Sequence, residues 1–137
     1  LEQKDYILRE IEKIGLILSY IRQKLFGGKE SSSLTIENKF DTASTMLFEE
    51  SEFNLNKFLS LNTEESNKYI SDFKGFSSEN IELLADLIFD ICIADTSNES
   101  KKHLEKALQL YEFCNSKSKT YSLKRENKIQ TIKKQIR

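Results

Sequence analysis

The 137 residues contain no proline, no tryptophan, only four glycines, two cysteines and a single histidine. Proline and glycine are the residues that most readily end a helix, so little in this chain interrupts one. No alternating apolar–polar run of the kind a half-buried strand requires is present, and the isoleucines recur at helical spacing. The expectation is an all-α protein. Two cysteines are too few for a disulfide framework. A lone histidine, with no Cys-x-x-Cys or His-x-x-x-His spacing, offers no recognisable metal motif. The longest apolar run is too short for a bilayer core of ~30 Å, which takes about 20 apolar residues. The opening LEQKDYILRE lacks the basic, apolar, small-residue order of a secretory signal, so cytoplasm is the expected location.

What remains is a chain with 38% hydrophobic and 31% charged residues, of a length ordinarily folded as one domain over residues 1–137. Net charge is −1, unevenly spread. Between Lys117 and Arg137 eight Lys or Arg face one acid, Glu126, which makes that segment +7 and leaves −8 for the rest. Such asymmetry points to an acidic partner or to pairing within the molecule.

The stretch 81–114 organises the chain. Glu79, Glu82, Asp86 and Asp90 fall on one stripe of its first helix, while Ile81, Leu83, Leu84, Ala85, Leu87, Ile88, Phe89, Ile91 and Cys92 fill most of the remaining circumference. A helix apolar nearly all round needs cover on several sides, so it belongs at the centre. Residues 95–100 turn the chain back into a second helix with an apolar face of Leu104, Ala107, Leu108, Leu110, Tyr111 and Cys114.

Around this hairpin the spacing predicts six or seven helices in an antiparallel, tetratricopeptide-like bundle. The first runs from about Gln3 to Phe26 along Ile7, Ile11, Ile14, Leu18, Ile21 and Leu25, a seam that favours packing within the chain over a coiled-coil dimer. Gly27–Gly28 is expected to close it in the left-handed conformation. A serine among residues 29–33 is expected to cap a second helix through Ile36, Phe40, Ala43 and Leu47. Residues 51–61 read equally as a short helix or an ordered loop. Thr63 is expected to cap a helix ended by Gly75, Ser77 or Ser78 to cap the central helix, and Ser122 to cap a basic one over about 122–136. That last helix carries Ile129, Ile132 and Ile136 on one narrow edge.

The hairpin resembles a tetratricopeptide-type helix pair. Ala85, and Ala107 followed by Leu108 and Tyr111, resemble the small and aromatic packing positions of that repeat. The turn at 95–100 is longer than the family's, Ser100 stands where a further alanine is usual, and the closing proline is absent. Two end motifs, Asp5-Tyr6-Ile7-Leu8-Arg9-Glu10-Ile11-Glu12 and Lys119-Thr120-Tyr121-Ser122-Leu123-Lys124-Arg125, are similar to those of a family of small, functionally uncharacterised helical bacterial proteins. That resemblance, spanning most of the chain, implies a tetratricopeptide-like helical fold and no established activity.

Candidate chemistry is sparse. Cys92 and Cys114 sit within apolar faces with no base beside them and read as packing residues. His103 reads as a boundary histidine. The acidic stripe lacks the spacing of calcium loops or di-metal bundles. It reads first as the solvated side of a buried helix, with a rival reading in which it faces basic groups of the last helix. The sequence Gly27-Gly28-Lys29-Glu30-Ser31-Ser32-Ser33 lacks the Walker spacing and follows a helix, so it reads as stop, loop and cap. The basic residues Lys117, Lys119, Lys124, Arg125, Lys128, Lys133 and Lys134 are candidate contacts to nucleic acid or an anionic surface, but on a helical projection they scatter around the axis. The expectation is a non-catalytic helical module that binds a protein partner, or itself, in a groove between helices. No cofactor, membrane span or small-molecule substrate is expected, and no residue is a named catalyst. Nucleic-acid or anionic-surface binding through 117–137 is the alternative.

Overall fold

The computed structural model describes residues 2–28 and 34–137, with side chains from residue 4 onward. Seven helices and no strands occur among them: α1 (Glu2–Phe26), α2 (Ile36–Ser51), α3 (Leu55–Ser60), α4 (Thr63–Ser71), α5 (Ser78–Cys92), α6 (Asn98–Lys117) and α7 (Leu123–Gln135). The fold is all-α, as the spacing predicts.

Helix α5 occupies the middle, packed against α6, α1 and α2. Leu84, Ala85, Leu87, Ile88 and Cys92 are wholly shielded from solvent. Covering so many sides of one helix takes three neighbours, which is the consequence of its apolar circumference. Helix α1 contributes Ile14, Leu18, Ile21 and Leu25, all buried within the chain. Its seam is thus used internally. Ile7 and Ile11 are half-buried, whereas Tyr6 and Tyr20 are exposed.

Asn80 ties the first crossing. Its amide donates to the carbonyls of Ile11 (2.8 Å) and Gly75 (2.7 Å), joining α1 to the turn before α5. Gly75 is required there by close approach: a Cβ would stand 2.8 Å from the Glu10 carbonyl and run into Ile14. Neither Gly75 nor Gly27–Gly28 takes a positive φ. The left-handed closure expected at 27–28 is not found; Gly27 instead continues the α1 ladder, bonding to the Gln23 carbonyl. The residue that does turn left-handed is Glu52, closing α2 at φ 63° with its N–H on Phe48.

Helix caps follow the expected chemistry with shifts of position. Ser77 and Ser122 cap α5 and α7. Asn62, one residue before Thr63, caps α4, and Thr35 caps α2. The serines at 31–33, and the rest of 29–33, lie outside the described residues. Helix α4 stops at Ser71, ahead of Gly75, and α6 runs to Lys117.

The open question at 51–61 resolves into both: residues 52–54 are an ordered connection and 55–60 the short helix α3. Phe53, Leu55 and Phe58 are fully buried. Phe53 is a hub whose ring meets Phe58, Tyr69, Phe73 and Phe76 at centroid distances of 4.7–5.6 Å. Asn54 caps the short α3 and donates its own N–H to the Tyr69 hydroxyl.

Burial of α5 sets a stability prediction. Ile88→Asp would place an unpaired carboxylate in a site with no exposure, at a cost of at least several kcal/mol against a total of roughly 5–15 kcal/mol. Circular dichroism should show an unfolded chain; a melting temperature within a few degrees of wild type would contradict the central position of α5.

Candidate functional site

Polar side chains gather chiefly in an internal network on the acidic stripe of α5 and in an open groove at the start of α6.

The stripe is not a solvated face. Asp86 is buried, and its Oδ1 accepts from the Tyr111 hydroxyl on α6 and from the Lys128 ammonium on α7 at 2.7 Å. Asp90 accepts two bonds from the Arg22 guanidinium on α1, at 2.6 and 3.0 Å. Glu82 accepts two from Arg125 on α7, at 2.8 and 3.2 Å, and the same guanidinium donates to Asn115 at 2.7 Å. Glu79 alone of the four remains exposed. The rival reading, in which the stripe faces basic groups of the last helix, holds for Glu82 and Asp86. Arg22 is a partner that spacing within the C-terminal segment gave no reason to expect. Burial, then the adjacent Asp86 charge, pushes the Tyr111 phenol above its ordinary range, so it stays a neutral donor.

This network divides the basic candidates. Arg125 and Lys128 point into the fold, and Lys128 also lies over the Phe89 ring at 5.5 Å. Lys117, Lys119, Lys124, Lys133 and Lys134 are exposed. Lys117 sits over the Phe113 ring. Two of the seven charges are therefore spent inside the molecule.

The thiols are inert by placement. Cys92 and Cys114 are buried and free, and desolvation pushes both up to about 12. The buried pair Lys106 and Ser66 was not legible from spacing. The Lys106 ammonium donates to the Ser66 hydroxyl and to the Leu61 carbonyl at 2.6 Å, with the Phe58 ring beneath it. A serine beside a lysine is an arrangement that can activate a hydroxyl. Here both are sealed from solvent, with 1% and 6% exposure, and neither lines the groove. The pair instead fastens α6 to the α3–α4 turn. Burial lowers the Lys106 pKa.

The groove, of about 680 Å³, lies between the start of α2, α3 and the start of α6. Its apolar lining is Ile36, Phe40 and Leu59, continued by the half-buried His103 ring, whose centroid is 4.7 Å from that of Phe40. Burial lowers the His103 pKa, leaving a neutral imidazole near neutral pH. Glu37, Asp41, Asp95 and Glu99 supply carboxylates, and among the described residues no lysine or arginine lines the groove. Asp95 is held below the usual carboxylate range by hydroxyl donors, Ser100 first and Ser97 second. Among the described residues no three His, Cys, Asp or Glu converge as a metal site would demand, and no helix is long and apolar enough to cross a membrane.

No protein-family model, curated protein or solved structure matches this chain.

Two measurements check this description. Native Cys92 and Cys114 should react slowly with a thiol reagent and rapidly once the chain is denatured; fast native labelling would contradict their burial. Asp86→Asn should destabilise the fold by about 2–4 kcal/mol, because it leaves Lys128 without its carboxylate in a partly desolvated place. Denaturant titration reads the effect, and an unchanged midpoint would mean that the network adds nothing to stability.

Proposed function

We propose that this protein is a non-catalytic helical interaction module that binds a protein partner in the groove between α2, α3 and α6. The observation that carries the reading is the groove itself: an open hollow in which Ile36, Phe40 and Leu59 stand among polar and acidic side chains. The residues with latent reactivity support it from the other side, since Cys92, Cys114, Ser66 and Lys106 are all buried away from that hollow. The tetratricopeptide-like character of α5 and α6 belongs to the same proposal. It is supported by Ala85 and Ala107, both fully buried on the helix pair. A cytoplasmic setting, and kinship with small helical bacterial proteins, are proposed on the sequence features alone.

Nucleic-acid binding through 117–137 ranks second. Lys117, Lys119, Lys124, Lys133 and Lys134 remain outward, but the inward turn of Arg125 and Lys128 thins the phosphate-facing charge on which affinity depends.

The test is a groove plug. Asn56 is an exposed rim residue, so Asn56→Trp should fill the hollow without unfolding the chain. A partner retained by immobilised wild type should be lost on the plugged variant, with an unchanged circular-dichroism melt. A partner retained equally by both would refute the groove. Submicromolar binding of labelled DNA or RNA at ~0.15 M salt, abolished by Lys124→Glu/Lys133→Glu, would transfer the function to the C-terminal segment.

A further inference from the structure

We infer that the occupant of the groove is a basic peptide segment, its Lys or Arg stems lying on Ile36, Phe40 and Leu59 and its cationic heads meeting Glu37, Asp41 and Glu99. This rests on the groove reading above and adds the chemistry of the partner.

Charge complementarity selects the occupant. Four carboxylates line the groove and, among the described residues, no lysine or arginine does. On the stripe of α5, by contrast, Glu82, Asp86 and Asp90 each meet Arg22, Arg125 or Lys128. In the groove the four acids stand without a described basic residue lining it beside them. Glu99 is 87% exposed, and its contact is the His103 imidazole at 3.9 Å. Because burial against Phe40 disfavours protonation of His103, that ring adds little positive charge near neutral pH. Asp95 is kept ionised by the Ser97 and Ser100 hydroxyls, so the negative field persists well below neutrality. A hollow with low-dielectric walls concentrates such a field.

The shape suits lysine and arginine in particular. Both are apolar along the stem and charged at the tip, which matches a lining that mixes Ile36, Phe40 and Leu59 with carboxylates. A planar guanidinium gains further by stacking on the Phe40–His103 pair. A bare divalent cation fits worse, since no three candidate ligands converge among the described residues. An acidic or plain apolar peptide would leave the carboxylates unpaired or desolvated.

The experiment titrates three labelled peptides of equal length, one alternating Arg or Lys with Leu, one with Gln in place of the cations and one with Glu. The full chain is compared with Asn56→Trp and with the triple variant Glu37→Gln/Asp41→Asn/Glu99→Gln, whose substitutions are isosteric and on solvent-facing positions. The basic peptide should bind roughly tenfold more tightly than the Gln peptide. Its affinity should fall as salt rises from ~0.05 to ~0.15 M, as screened charges require. Both variants should weaken it at an unchanged melting temperature. Equal or tighter binding of the Gln or Glu peptide, lost in Asn56→Trp but not in the triple variant, overturns the cationic occupant while leaving the groove as a binding face. Basic-peptide binding that neither variant weakens places the contact elsewhere and overturns both. No binding of any peptide at up to ~1 mM, the weak limit of recognition, overturns the inference; the groove reading then stands or falls on the plugged variant's retention of partner.

Discussion

Asp86 is the point on which the arrangement turns. It sits on a helix that is apolar almost everywhere else, and cover on three sides by α1, α2 and α6 removes water from most of its surroundings. A carboxylate in such a place must be paired or neutralised, because an isolated buried charge costs far more than the fold can supply. Tyr111 and Lys128 meet the requirement directly, and Arg22 stands 3.9 Å away while it clamps Asp90. One buried acid thereby fixes the relative positions of α1, α6 and α7.

That constraint explains an otherwise odd C-terminal helix. Helix α7 offers only Ile129 and Ile132 as fully covered apolar residues, a narrow edge for thirteen residues of helix. Apolar contact alone would hold it weakly. Arg125 and Lys128 add charge-assisted bonds to Glu82 and Asp86, and the guanidinium of Arg125 also takes Asn115 at the end of α6. Part of the charge asymmetry between the two ends of the chain is thus consumed as internal glue. The acids of the groove are the complement: among the described residues lining it beside Glu37, Asp41 and Glu99, none comes from the +7 segment.

The sequence determined the helices, their order and the central role of 81–92, because these follow from local rules. A missing proline, a 3.6-residue apolar period and Ser or Asn at helix starts act within a few residues of themselves. The burial of both thiols was equally legible, from their position on apolar faces. Only the tertiary structure decided the rest. Whether the acidic stripe met water or cations depended on where α1 and α7 docked, and Arg22 lies 68 residues from Asp90. The aromatic hub at Phe53 draws on rings from Phe58 to Phe76, so a window over 51–61 contained too little of it to distinguish helix from loop. Gly75 is needed for the approach of the Glu10 carbonyl, a contact invisible in its neighbours. The groove, too, is assembled from the neighbouring α2 and α3 together with α6, which begins some 40 residues further on. A site made by packing has no signature at the level of spacing, since none of its side chains is unusual until the others arrive.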